Sequence, residues 1–114
     1  MTLGECARWL RAEWLVPGDE QTEFHDVVVS DLMSDVLVTD HDDFILVTSL
    51  VSEQVVRTAD IVDARAIILA NNKRPQPALV ALAENQSVPV LTSPFSTFDV
   101  CRALAGCREA AETR

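Results

Sequence analysis

Polar side chains gather at four places in this chain, each behind a short apolar run: Ser30 and Asp31; Thr48 and Ser49; Asn71, Asn72, Lys73 and Arg74; Thr92, Ser93, Ser96 and Thr97. Hydroxyls and amides of this kind, set at the amino ends of helices, suit a small anion. Free helix amides carry a partial positive charge worth about 0.3–1 kcal/mol each toward such a group. Lys73 and Arg74 would add charge-assisted hydrogen bonds. Together they support micromolar to millimolar binding, about −4 to −8 kcal/mol. A structural reading competes, because Ser, Thr and Asn are also what strand-to-helix turns use to cap themselves.

Other constellations carry less. Asp31 and Asp35 lie one helical turn apart and, with Ser34, offer oxygens to a hard cation. Ser30 as a helix cap and Asp31 as a partner for the helix dipole explain the segment without a metal, so no metal site is assigned. His41 lies among Asp40, Asp42 and Asp43, and His25 precedes an apolar strand; neither belongs to a nucleophile motif. Cys6, Cys101 and Cys107 are odd in number and lack C-x-x-C spacing, which makes buried thiols the default. Trp9 and Trp14, five apart, cannot share a helix face, so one is expected inside and the other partly exposed. Glycine occurs only at positions 4, 18 and 106, so neither G-x-x-x-x-G-K-[ST] nor G-x-G-x-x-G can form. No catalytic residue and no cofactor are expected.

The chain has 114 residues, 48% of them hydrophobic, with 18 acidic against 9 basic side chains and a formal charge of −9. The apolar share is enough for a core and argues against disorder. The negative charge repels phosphodiester backbones, so nucleic acid is excluded as a partner. No apolar run approaches the roughly 20 residues that cross a bilayer. Glu5 and Arg8 interrupt the first ten residues where a secretion signal needs continuity, and a cytoplasmic protein is expected.

Which elements must position the polar clusters follows from periodicity. Leu3, Ala7, Leu10 and Trp14 fall at helical spacing, with a short extended piece over Glu13–Val16 stopped by Pro17-Gly18. Phe24–Val29 reads as a strand, followed by a helix to about Val38 that buries Leu32, Met33, Val36 and Leu37. Three strand–helix cycles follow: Phe44–Thr48 with Glu53–Asp63, Ala66–Ala70 with Ala78–Asn85, and Val88–Leu91 with Ser96–Cys107. In the last helix Phe98, Cys101, Leu104 and Ala105 are expected inward, and Ser96-x-x-Asp99 has the form of a capping box. The strands are continuously apolar, so both sheet faces are covered. The expected fold is a three-layer α/β/α domain with a largely parallel central sheet of four to five strands, one folding unit over residues 1–112 with a short polar tail. Right-handed crossovers then gather every strand's carboxyl end on one rim.

The segment Val28-Val-Ser-Asp-Leu-Met-Ser-Asp-Val36, the basic turn Asn72-Lys-Arg-Pro75 and the segment Val88-Pro-Val-Leu-Thr-Ser-Pro-Phe-Ser-Thr-Phe-Asp-Val100 together resemble the DRTGG domain family, which is similar to the amino-terminal domain of HPr kinase/phosphorylase. The resemblance runs from about Thr2 to Gly106. The name-giving Asp-Arg-Thr-Gly-Gly string is absent; Thr48-Ser49-Leu50 and Val56-Arg-Thr58 stand in that stretch. The resemblance implies a small α/β module that occurs alone, beside cystathionine-β-synthase-type nucleotide-sensing domains or inside phosphotransacetylases, with no catalytic residue of its own. Phosphoryl transfer in HPr kinase belongs to a separate domain whose phosphate-binding loop has no counterpart here.

These readings converge on a stand-alone, non-catalytic regulatory module that self-associates as a homodimer and senses a small anionic metabolite or nucleotide for a protein partner. Two alternatives are a purely structural interaction module and an accessory domain of a phosphoryl-transfer enzyme.

Overall fold

A computed structural model describes residues 1–112. Five strands, β1 (Glu13–Val16), β2 (Asp26–Val29), β3 (Phe44–Thr48), β4 (Ile67–Leu69) and β5 (Val90–Thr92), form one sheet in the order β1-β5-β4-β3-β2. The neighbours from β2 to β5 are parallel, with Val28 opposite Leu46, Leu46 opposite Ile67, and Ile67 opposite Val90. Only β1 runs antiparallel, pairing Trp14 with Leu91 and slipping register before Val16.

This strand order dictates the layers. From β2 to β5 each strand is added on the same side of the last, so right-handed crossovers must place all three intervening helices on one face. These are α2 (Met33–Leu37), α3 (Gln54–Ile61) and α4 (Pro77–Gln86). The other face is left to the terminal helices α1 (Leu3–Trp9) and α5 (Thr97–Glu112), which pack together.

Alternation along each strand feeds two cores. Phe44, Leu46, Ile67, Leu69 and Val90 pack beneath Val36, Val55, Val56, Ala59, Leu79 and Ala83. Ile45, Val47, Ile68 and Leu91 pack beneath Leu3, Cys6, Leu10, Val100 and Leu104. All five residues of β3, the middle strand of the parallel run, are buried.

Several expectations are revised. The helix after β2 begins at Met33, with Leu32 at its cap position and no side-chain capping bond, so Ser30 and Asp31 do not cap it. Met33 and Val36 are buried, while Leu32 and Leu37 are exposed, because five helical residues give a stripe only one turn long. In α5 the inward residues are Val100, Leu104 and Cys107; Phe98 is 75% exposed and Ala105 is exposed. The last helix runs on through Glu112, well past Cys107, and the rest of the expected tail, residues 113 and 114, lies outside the described residues.

Candidate functional site

The carboxyl ends of β2 to β5 bring the four polar clusters to one rim, but most of their hydroxyls are turned to neighbouring protein groups. At the ends of β2 and β3, Asp31 binds the chain beyond β3. Its Oδ1 accepts from the Thr48 hydroxyl and the Ser49 backbone N–H, both at 2.8 Å, and its Oδ2 accepts from the Ser49 hydroxyl at 2.7 Å. The Ser49 amide, with both hydroxyls and the charge of Lys73, holds the Asp31 carboxyl below its ordinary pKa against a partial desolvation that works the other way. The Thr48 hydroxyl also accepts from Leu50 N–H at 3.2 Å, and Ser30 Oγ accepts from Leu32 N–H at 3.0 Å.

At the ends of β4 and β5 the two loops are stitched together. Asn71 and Asn72 both take left-handed backbone angles, φ 63° and 54°, which asparagine tolerates better than most side chains. That turn aims their amides across at the next loop: Asn71 N–H donates to the Phe95 carbonyl at 2.7 Å and Asn72 N–H to the Ser93 carbonyl at 2.9 Å. The Thr92 hydroxyl donates back to the Lys73 carbonyl at 2.8 Å, and Asn71 Nδ2 donates to Thr97 Oγ1 at 3.0 Å. Ser93 is fully buried; its hydroxyl donates to the Leu10 carbonyl at 2.8 Å and accepts from Phe95 N–H at 3.2 Å. Ser96 Oγ accepts from Asp99 N–H at 3.1 Å, the cap expected at the start of α5.

What remains at the rim is a pair of exposed cations, each beside a carboxylate. Lys73 and Arg74 are exposed. Lys73 lies close enough to Asp31 to act on its charge, so the two halves of the rim adjoin. Arg74 pairs with Glu13 of β1 at 2.9 Å. Sequence reasoning missed Glu13 altogether: its partner is 61 residues away, and only the antiparallel placement of β1 beside β5 brings it to this rim. The loops after β4 and β5 leave for opposite faces, one to α4 and the other to α5. Adjacent strands whose connections part this way mark the place where parallel sheets commonly hold ligands; here hydrogen bonds between the two loops close it.

The largest recess lies elsewhere, about 580 Å³ at the amino ends of the strands, between the carboxyl ends of α3 and α4. Asp19, Asp60, Asp63 and Glu84 line it, with Arg65, which is paired to Asp43. Four carboxylates and the negative ends of two helix dipoles repel an anion there, so size does not make it the ligand site. Among the described residues no group of His, Cys, Asp and Glu is arranged to hold a metal ion, and Asp31 and Asp35 do not converge on one. None of the three cysteines forms a disulfide among the described residues; Cys6 and Cys107 are buried and Cys101 is half-buried. Burial, and the neighbouring Cys107, push the Cys6 thiol up to about 12, which makes it inert as a nucleophile near neutrality. Trp9 is 43% exposed and Trp14 is half-buried in β1. No helix among the described residues is long and apolar enough to cross a membrane.

A largely parallel five-stranded sheet with helices on both faces places the chain among small α/β modules. The chain belongs to the DRTGG domain family, whose model it matches over residues 5–107. It is similar in fold to the CBS and DRTGG domains of the regulatory region of Clostridium perfringens pyrophosphatase, a structure complexed with its activator, diadenosine tetraphosphate. That similarity has a TM-score of 0.69 at 16% identity and covers 93% of this chain and 46% of the other, so the chain spans less than half of that structure. No curated protein matches the chain.

Proposed function

We propose that this chain is a non-catalytic regulatory module that self-associates and senses a small anionic metabolite or nucleotide at the rim formed by the carboxyl ends of its parallel strands. The observation that carries the reading is the contrast between the two ends of the sheet. One end has Lys73 and Arg74, beside Asp31 and Glu13 respectively, with the amino ends of α3 and α5; the other has four carboxylates against the single Arg65, with the carboxyl ends of α3 and α4. In this reading Asn72, Lys73 and Arg74 meet the anion. Ser30, Asp31, Thr48, Ser49, Asn71, Thr92, Ser93, Ser96 and Thr97 fix the loops that present them.

Two further points support the reading. A regulatory region that includes a domain of this fold beside CBS domains is known in complex with a dinucleoside polyphosphate, which recommends nucleotides as probes. With glycine absent from every strand-to-helix turn of the parallel run, backbone amides cannot wrap a triphosphate closely, which favours recognition without turnover. The module works in the cytoplasm, where such metabolites are found, and passes the signal to a partner protein.

The test is a thermal-shift titration with inorganic phosphate, AMP, ATP and diadenosine tetraphosphate. At a ligand concentration 100 times Kd the native state gains about 2.7 kcal/mol. The gain should vanish in a Lys73→Ala, Arg74→Ala double variant whose own melting temperature is unchanged. A second reading, a purely structural module, is favoured by the inward commitment of Thr48, Thr92 and Ser93. No stabilisation by any of the four probes near about 1 mM would decide for it.

A further inference from the structure

Helix α5 carries two apolar stripes, and the sheet uses only one. Val100, Leu104 and Cys107 face inward and are buried. Phe98, Cys101 and Ala105 follow the spacing i, i+3, i+7 on the outer side, where Phe98 stands 75% exposed. Beside them a recess of about 470 Å³ opens toward the edge strand, lined by the apolar Val27, Val29, Cys101, Leu104 and Ala105 and also by Arg108, Glu109 and Glu112. Val29 at that recess is itself 43% exposed. A projecting aromatic ring and a mainly apolar hollow with charged residues along it thus share one surface.

We propose that two copies of this chain pair through this face of α5, antiparallel about a two-fold axis beside Cys101 and Arg102, with Phe98 of each copy seated over Ala105 of the other. The occupant is a second copy because the surface is complementary to itself. A two-fold interface requires that if residue i meets j, then j meets i. Phe98 and Ala105 are seven residues apart, two turns or about 10.5 Å, so an axis midway between them brings each ring onto the small residue of the other chain. The methyl of Ala105 leaves room for a ring, and the hollow at Val29 and Cys101 lies beside it.

The charges agree with this geometry. Asp99 and Arg102, 3.7 Å apart within one chain, lie on the same flank of the axis, so Arg102 of one copy also comes alongside Asp99 of the other. Glu109 is carried toward the amino end of the opposing α5, where the helix dipole is positive. The open edge of β2 is a poorer meeting place: Val27 N–H is occupied by the Asp26 carboxylate at 2.9 Å, and that carboxylate also pairs with His41.

A sixteen-residue helix is about 24 Å long. A stripe of that length buries less than the roughly 800 Å² per partner of a standard stable interface, so the pairing is reversible and micromolar. The proposal rests on the self-association in the preceding reading and names its surface.

Sedimentation equilibrium up to about 1 mM, a range that covers micromolar dissociation constants, is the first measurement. Phe98→Asp should raise the dimer dissociation constant at least about tenfold. Because Phe98 is exposed, the melting temperature of the monomer should be unchanged; Ala105→Arg, which fills the hollow, gives an independent second variant. A short bis-maleimide should join two chains through Cys101, and Cys101→Ser should abolish the product, since Cys6 and Cys107 are buried. A dimer indifferent to both variants, or one that never bridges through Cys101, overturns this surface while leaving self-association in place. A monomer at every concentration overturns both.

Discussion

Replacing Ser93 by alanine separates a rim built to hold itself together from one built to hold a ligand. The Ser93 hydroxyl is fully buried and makes two hydrogen bonds, one to the Leu10 carbonyl and one from Phe95 N–H. Leu10 is the carboxyl-terminal cap residue of α1, where intrahelical donors run out, so its carbonyl depends on Ser93. Removing the hydroxyl leaves a buried acceptor and a part-buried donor unpaired, a cost of about 2–3 kcal/mol. For 114 residues the unfolding entropy is about 0.24 kcal/mol/K, which converts that loss to a fall of about 8–12 °C in melting temperature. Circular dichroism at a helix-sensitive wavelength would measure it. A fall under about 2 °C, small beside the figure for a lost buried hydrogen bond, would refute the reasoning and return Ser93 to the pool of ligand contacts.

Acid stability follows from Asp31, whose native pKa lies below its unfolded value. A depressed carboxylate contributes stability that is present above the unfolded pKa, about 3.9, and is lost as pH falls through the native one. Asp31→Asn should therefore lower stability at neutral pH by about 0.5–1 kcal/mol, discounted for its exposure, and should flatten the acid limb of a denaturation profile below about pH 4. An unchanged limb would remove Asp31 from the account. Gly18→Ala should destabilise by about 1–3 kcal/mol in urea denaturation, because the added methyl would stand 2.4 Å from Pro89 Cγ and force the turn away from β5. A thiol reagent should modify Cys101 alone in the native protein and all three cysteines after denaturation; a second native thiol of comparable rate would show that the α1–α5 packing is looser than described.

The strands were legible in the sequence because their signal is local. Phe44–Thr48 is a run of apolar, mostly β-branched residues, and the structure keeps those bounds. The rim was legible for the same reason that the fold was: once the strands are parallel, the clusters after them must share an edge. What each rim side chain does there was not legible. Ser30 and Asp31 precede a helix and have the chemistry of caps, yet the Asp31 carboxylate is taken by the Thr48 and Ser49 donors across the neighbouring strand. A cap forms one hydrogen bond within its own segment, whereas three donors converge on Asp31 from another; nothing in the order of residues ranks the second arrangement above the first. The rim roles of Glu13 and Leu10 were not legible because their partners, Arg74 and Ser93, come from the loops after β4 and β5, 61 and 83 residues further along the chain.

Helix α5 makes the limit of periodicity plain. Its positions 98, 101 and 105 and its positions 100, 104 and 107 both satisfy helical spacing with apolar residues, and the first set contains the larger side chain. Pattern alone therefore points Phe98 inward. The orientation is decided instead by one local contact and one between distant parts of the chain. The Ser96 cap fixes where the helix starts above β5, and Gly106 turns toward Trp9 so closely that an added methyl there would lie 3.2 Å from the Trp9 ring. With Gly106 against α1, the helix cannot roll to bury Phe98 without driving its own backbone away from Trp9. The aromatic ring is thus held in solvent by packing on the flank of the helix, an exposed apolar group of the kind that interaction surfaces use.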